Sequence, residues 1–424
     1  MDRACVARRD RRVPRPGRRR GGTWIGHAAW ALSVVVAACA TPPPVRTQVS
    51  RLEVLEAATD SGMALPRPRL PLGADTNAAA AYYRLGESLV RFSVKLDTAD
   101  MALYWASRLD PYWPDPIFAR AMLILRAARA DALETWFKTR SRGATQRVQL
   151  TPRQMQLVDS LMRIAWARNP FLYTDLEFAH LPPGEPRDPE RAGFGAYASR
   201  RFASAESLFA VALLKHPGNV GLRIYRAKAL FFLQRYDSAV AELAAARDSV
   251  RGATEARLSP VLPSVEMFEY GIGIARVQQD DFPAARVAFQ RTLAENLGFY
   301  WAHVRLAGAA LALADTAAGL AELALAVDVE PQEPALRLFH GLVLYKAGRL
   351  TEAAGQLKKA LEVDPYYAAP HLHLGRVYQA QGRKVEAIEQ YRSFLAHAAR
   401  DDSDRHAVIG LLAALGAAPA DTGR

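Results

Sequence analysis

The chain has 424 residues, half of them hydrophobic, and a formal charge of +12. Nine arginines lie in residues 1–38 against Asp2 and Asp10, so that stretch carries +7 and everything after it only +5; a surplus that thin excludes the broad basic face of a nucleic-acid binder. Cys5 and Cys39 are the only cysteines, so a chain cut before Cys39 has no internal disulfide and no cysteine zinc site.

Residues 1–38 read as an export signal: a charged stretch from Arg3 to Arg20, then Trp24 to His27, then the apolar run Ala28 to Ala38, which ends in small residues. Crossing ~30 Å of hydrocarbon takes ~20 residues, more than that run supplies, so a cleaved signal fits better than a permanent span. Val36-Ala37-Ala38-Cys39 resembles the lipobox of bacterial lipoproteins. The resemblance implies acylation of the Cys39 thiol, and each acyl methylene adds ~0.8 kcal/mol of membrane affinity. Ala40 is not the aspartate that resembles an inner-membrane retention signal, so the implied location is the periplasmic face of the outer membrane. Residues 39–76, rich in proline and without period, read as a flexible linker with a short helix at 51–58.

From residue 77 onward the alanine- and leucine-rich sequence, with Gly and Pro at intervals, predicts an all-α chain of helices broken by regular turns. Gly341, Gly348, Glu352, Ala353 and Leu357 recur 34 residues later as Gly375, Gly382, Glu386, Ala387 and Tyr391. One unit earlier, Ala307, Leu323, Ala326 and Pro331 stand 34 before Gly341, Leu357, Ala360 and Pro365. A plain amphipathic bundle has no reason to repeat glycine at that interval.

This order of residues resembles the tetratricopeptide repeat. It implies a right-handed superhelical solenoid in which each unit is a helix hairpin. Gly341 and Ala353 let the two helices approach, Leu344 and Leu357 fill the space around them, Gly348 turns the chain and Pro365 stops the second helix. The same spacing recovers Ala205, Phe209, Ala212 and Pro217, then Ala99, Leu103, Ala106 and Pro111, then Ala239, Leu243 and Ala246, then Gly273, Phe282, Ala285 and Phe289. Val158, Met162, Ala165 and Pro170 keep the register beyond an insertion at 130–153. The expectation is about eight units: a divergent block at 77–217, an array at 218–400, a capping helix at 401–415 with Ser403 as its cap and Val408, Leu411, Leu412 and Leu415 inward, and a disordered tail at 416–424.

In this family the concave groove is lined by fixed positions of the first helix of each unit. Carried over, they are Tyr83, Phe194, Tyr197, Lys228, Phe231, Phe232, Tyr270, Trp301, Tyr345, Lys346, Arg376 and Gln379, an aromatic path with a basic end. Exposed rings beside Lys and Arg suit a peptide or helix, because a ring buries much area with few rotors. The pairs Ile224/Lys228, Tyr270/Ile274, Leu338/Leu342 and Leu372/Arg376 lack the Lys and Asn with which chaperone-binding relatives clamp a terminal carboxylate.

Signs of catalysis are weak. His371 and His373 are two apart on a helix and cannot share a metal, Asp401-Asp402-Ser403-Asp404 lacks the glycine and glutamate of a calcium loop, and Gly271-Ile272-Gly273 is too short for a dinucleotide fingerprint. No cofactor and no enzymatic activity are expected. The functional expectation is a lipid-anchored scaffold binding segments of other envelope proteins in its groove, with self-association open. The alternative is a glycan or small-ligand binder, or an accessory enzyme subunit, with its site in the 130–153 insertion, where Thr139, Arg140, Arg142 and Arg147 could meet an anion.

Overall fold

The computed structural model describes residues 65–91, 95–139, 150–173, 188–251 and 264–418, with the side chains of 128–139 excepted. The expected signal, Cys39, the 51–58 helix and residues 140–149 of the insertion, with Arg140, Arg142 and Arg147, lie outside what is described, as does the side chain of Thr139. Among the described residues there are seventeen helices and no strand.

Sixteen of the helices pair into eight antiparallel hairpins: α1 Ala79–Arg91 with α2 Leu96–Leu109, α3 Pro114–Thr139 with α4 Pro152–Arg168, α5 Pro189–Ala198 with α6 Phe202–Lys215, and α7 Val220–Phe232 with α8 Tyr236–Arg251. There follow α9 Val265–Val277 with α10 Phe282–Glu295, α11 Tyr300–Ala312 with α12 Thr316–Val329, α13 Pro334–Lys346 with α14 Leu350–Val363, and α15 Ala368–Ala380 with α16 Lys384–His397. The last helix, α17 Asp404–Ala414, packs on α16. The fold is an all-α solenoid of helix hairpins.

Inside each hairpin a small residue on the first helix receives a bulky one from the second. A Cβ built on Gly86 would stand 2.6 Å from Leu103, on Gly193 2.7 Å from Phe209, on Gly273 2.3 Å from Phe289, on Gly341 2.9 Å from Leu357 and on Gly375 2.5 Å from Tyr391. No carbon fits at such separations, so the glycines that recur at this interval in the sequence mark where two helix backbones meet. The second helices carry a matching small residue, and Ala205, Ala239, Ala285, Ala353 and Ala387 are all fully buried.

The turns repeat as faithfully. A residue of positive φ closes the first helix of a hairpin at Arg200, Gln234, Asp280, Ala314, Gly348 and Gly382, and closes α17 at Gly416. Each is followed by a residue whose N–H reaches back over the helix end, as Arg349 does to Leu344 (2.9 Å) and Arg383 to Tyr378 (2.9 Å). Second helices stop two residues before a proline at Pro111, Pro170, Pro217, Pro331 and Pro365, which cannot donate to the ladder.

Two expectations are refined. Ser403 makes no side-chain cap; instead Asp402 accepts the N–H of Asp404 at 2.8 Å, because Ser403 itself already has helical φ and ψ and its hydroxyl is not placed to reach forward. Val408 and Leu412 are fully buried, with Leu411 and Leu415 packed partly against them. The hairpins also do not form one unbroken stack. Helices α5 to α17 pack in sequence, and α1 to α4 pack in sequence, but α4 shares no such face with α5 and instead touches α9. The first two hairpins are therefore a lobe, joined through residues 174–187 to an array of six.

Candidate partner-binding groove

Several of the positions expected to line a groove along the first helices of the array are covered by the lobe. Two turns of the lobe make most of the contact. After α2, Asp110-Pro111-Tyr112 places the Tyr112 ring 5.6 Å from Trp301 and 5.6 Å from Phe339, edge-on to both. After α4, Asn169-Pro170-Phe171 lays Phe171 flat on Phe231, with centroids 3.7 Å apart and planes at 7°. Asp110 and Asn169 each fold their own turn, accepting the N–H of Tyr112 (3.2 Å) and of Phe171 (3.0 Å).

Polar contacts stitch the same surfaces. Arg108 grips Asp364 with two bonds of 3.0 and 2.9 Å, the forked geometry that only a guanidinium offers. Arg168 donates to Glu333 at 2.7 Å and Arg163 to Glu266 at 3.2 Å. Lys228 donates to the carbonyl of Leu172 at 3.2 Å. Arg305 sits at the centre: its Nε donates to the Tyr270 hydroxyl (3.0 Å) and its Nη2 to the carbonyl of Arg168 (3.2 Å) and the hydroxyl of Tyr112 (3.3 Å). Burial pushes the Tyr270 phenol above its ordinary range and raises the Asp110 carboxyl, against the pull of the N–H groups of Tyr112 and Trp113. Further along, Trp105 of the lobe meets Tyr366 edge-on at 5.0 Å, Asn77 donates to the carbonyl of Ala396 at 2.7 Å and Asp75 accepts the N–H of Arg400 at 2.5 Å.

The residues singled out from sequence thus divide into four groups. Lys228, Phe231, Tyr270 and Trp301 do lie on the groove, but they face the chain's own lobe; Tyr270 and Trp301 are almost completely buried, which corrects the picture of an open aromatic path. Tyr83 belongs to the lobe, tilted against Trp113 with centroids 4.7 Å apart. Phe194, Tyr197 and Phe232 pack between hairpins of the array: Phe194 against Tyr225 (4.9 Å), Phe232 against Phe202 (4.5 Å), and Tyr197 at the buried centre of that cluster. At the far end Tyr345 is half-buried, Lys346 exposed, Arg376 half-buried, and Gln379 accepts the Tyr391 hydroxyl at 2.7 Å. Phe232, Lys346 and Gln379 are the exposed members of the lining.

Sequence reasoning missed Arg305, Tyr112, Phe171 and the arginine–carboxylate pairs. A signal was present. Arg108 and Arg168 each precede a turn of Asp or Asn, Pro and an aromatic, and the hairpins that carry them are the divergent ones. Between the surfaces runs a polar cleft of about 290 Å³ lined by Arg108, Arg168, Glu333 and Asp364 among others. His371 and His373 share no ligand: His371 bonds Gln390 at 2.8 Å, while burial pushes His373 down to about 4. Among the described residues no His, Cys, Asp and Glu cluster could hold a metal ion, and no helix is long and apolar enough to cross a membrane.

Residues 341–382 match the sequence model of the family described as TPR repeat, and residues 196–258 match that described as tetratricopeptide repeat. The chain carries tetratricopeptide repeats. An array of these repeats is a protein–protein interaction scaffold in kind, and the matched stretches lie in the array, one at each end. Among solved structures, the chain is similar to YrrB, a TPR protein with an unusual peptide-binding site, at 20% identity and a TM-score of 0.35 over 47% of this chain and 96% of that one. It is also similar to TTC0263, a thermophilic TPR protein of Thermus thermophilus (22% identity, TM-score 0.34, 44% of this chain and 95% of that one). A third likeness is to the C-terminal part of a TPR repeat-containing protein of Cytophaga hutchinsonii (13% identity, TM-score 0.40, 49% and 78%). No curated protein matches the chain.

Proposed function

We propose that the chain is a lipid-anchored scaffold of the bacterial cell envelope, held at the periplasmic face of the outer membrane by acyl groups on Cys39, whose array binds a segment of another envelope protein. The observation that carries it is the pairing, in one chain, of a lipobox-like Val36-Ala37-Ala38-Cys39 at the end of an apolar run with an array of tetratricopeptide hairpins. An acyl anchor is a membrane address and contributes nothing to catalysis. A stack of hairpins presents a long composite surface on which many residues share a modest affinity each. Proline-rich residues after Cys39 suit a spacer that holds such a surface away from the bilayer.

Metabolic labelling with a radioactive fatty acid tests the anchor: label retained by the chain and lost in Cys39→Ser is the expected result, and an unlabelled chain refutes it. Cross-linking in intact cells, followed by identification of the trapped protein, tests the scaffold. One envelope protein recovered in stoichiometric amount supports the reading, and recovery of none sinks it.

A further inference from the structure

The lobe meets the array in a manner unlike the packing of the hairpins on one another. Within the array, successive helices share whole faces; across the groove, α4 touches α9 along a short stretch and the other contacts come from turns and single side chains. The ion pairs across it run one way. The array supplies three carboxylates, Glu266, Glu333 and Asp364, and the lobe answers with three arginines, Arg163, Arg168 and Arg108. Beside these pairs the array offers the rings of Phe231, Trp301 and Phe339; Phe171 stacks on the first, and the exposed Tyr112 lies edge-on to the other two.

We propose that this face of the array is a recognition site for basic, aromatic protein segments, and that the lobe is its resident and displaceable occupant, a gate that a partner of the same chemistry must open. The inference rests on the scaffold reading above and names the partner class for that groove. Charge complementarity selects the class: the three carboxylates pair with arginines, while the array's own Lys228 and Arg305 are taken up by main-chain carbonyls and tyrosine hydroxyls. Displacement is favoured by the imperfect fit of the occupant. Arg168, with 6% of its surface exposed, leaves its Nε and Nη1 without hydrogen-bond partners, and a polar cleft stays open beside it. Interfaces built from turns and ion pairs, with little shared helix face, are those at which parts of a chain move.

The test uses the purified chain and a fluorescein-labelled peptide with the sequence of residues 163–173. The control peptide carries glutamate in place of both arginines. In the wild-type chain most molecules hold the gate closed, so anisotropy shows weak binding. Arg108→Glu with Arg168→Glu raises the competent fraction, and affinity for the peptide rises about tenfold or more, with none for the control. Hydrogen exchange in α9 and α11 then speeds up in the variant and slows again on adding peptide. Restoring the pair with opposite polarity, Arg108→Glu with Asp364→Arg, returns peptide binding to the wild-type level and serves as a folded control.

The proposal fails if the loosened variant, helical by circular dichroism, binds the peptide no better than wild type, or binds the control equally. Cross-linking the variants in cells separates the two readings. A partner still trapped by a chain that ignores the peptide overturns the gate and spares the scaffold, whereas loss of both removes both.

Discussion

Tyr270 donates its phenolic hydrogen bond to the main-chain carbonyl of Ala167, 103 residues earlier, at 2.5 Å, while accepting one from Arg305. The ring is fully buried between Phe289 and Phe299. Tyr270→Phe keeps that packing and removes only the hydroxyl. It leaves a buried carbonyl and part of a guanidinium without partners, each expensive to desolvate. The variant should lose about 1–3 kcal/mol in urea denaturation, with faster hydrogen exchange in residues 163–173 than in α15 and α16. Uniform loss of protection along the chain would contradict the assignment of this bond to the lobe contact.

Arg108 and Asp364 make the second test of the same contact. Asp364 is 5% exposed and both its oxygens are engaged by Arg108, so removing the arginine strands a buried carboxylate. Arg108→Ala should cost about 3 kcal/mol, and Asp364→Asn less, because a neutral amide needs no counter-charge. Equal losses in both variants, measured from urea midpoints, would mean the charge is not what matters there.

The helices could be read from periodicity, and the hairpin pairing, the seam glycines and the capping helix from the repeat family that the 34-residue spacing resembles, because each is a local consequence of the repeat. Gly341 and Gly375, 34 apart, face Leu357 and Tyr391 as the repeat requires. The fold-back of the lobe could not be read that way. Arg108 pairs with Asp364 across 256 residues, and nothing in a period of 34 specifies which face of the array a divergent hairpin will meet. The same blindness placed Tyr270 and Trp301 on an open groove. Both are covered by another part of the chain. The apolar turns that fill it, Tyr112 and Phe171, sit at the ordinary closing turn of a hairpin and looked like nothing more.

Close approach at the seam makes a sharp contrast between glycines. Gly273→Ala drives a methyl to 2.3 Å from Phe289, in a hairpin where Phe289 is fully buried and cannot swing away. Overpacking of that kind costs about 1–3 kcal/mol. Gly355 on α14 and Gly308 on α11 have nothing within 4 Å of an added Cβ, so Gly355→Ala and Gly308→Ala should each stabilise by about 0.5–1 kcal/mol through helix propensity. Thermal unfolding of the three variants tests it, and destabilisation of all three would show that backbone flexibility, not space, governs these sites.

Turn conformation gives the converse. Ala314 holds φ at 61° and Gln234 at 59°, where later repeats have Gly348 and Gly382 at 75°. The left-handed region costs a side-chain-bearing residue about 1–2 kcal/mol, while glycine adds about 0.5–1 kcal/mol of unfolded-state entropy. Ala314→Gly should therefore raise stability by roughly 0.5–1 kcal/mol, and Gly348→Ala should lower it by about 1 kcal/mol. Should both changes destabilise, the turn is not the conformational bottleneck its angles imply.

Acid stability should carry the signature of buried imidazoles. Burial lowers His373 from the ordinary 6.5 to about 4, with Arg376 adding to the effect and Asp404 opposing it; burial also lowers His340 and His371. Above pH 6.5 His373 is neutral folded or unfolded and has no influence on stability. Between about 6.5 and 4 the unfolded chain takes up the proton and the folded chain does not, so stability falls as the pH falls, by roughly 3 kcal/mol across the window for this group. Below about 4 both states are protonated and the contribution is constant. His373→Gln removes the titration, and its urea midpoint should decline less steeply than wild type between pH 6.5 and 4, with His340 and His371 left to supply the residual slope. Parallel declines in the two proteins would show that water reaches the imidazole in the folded chain.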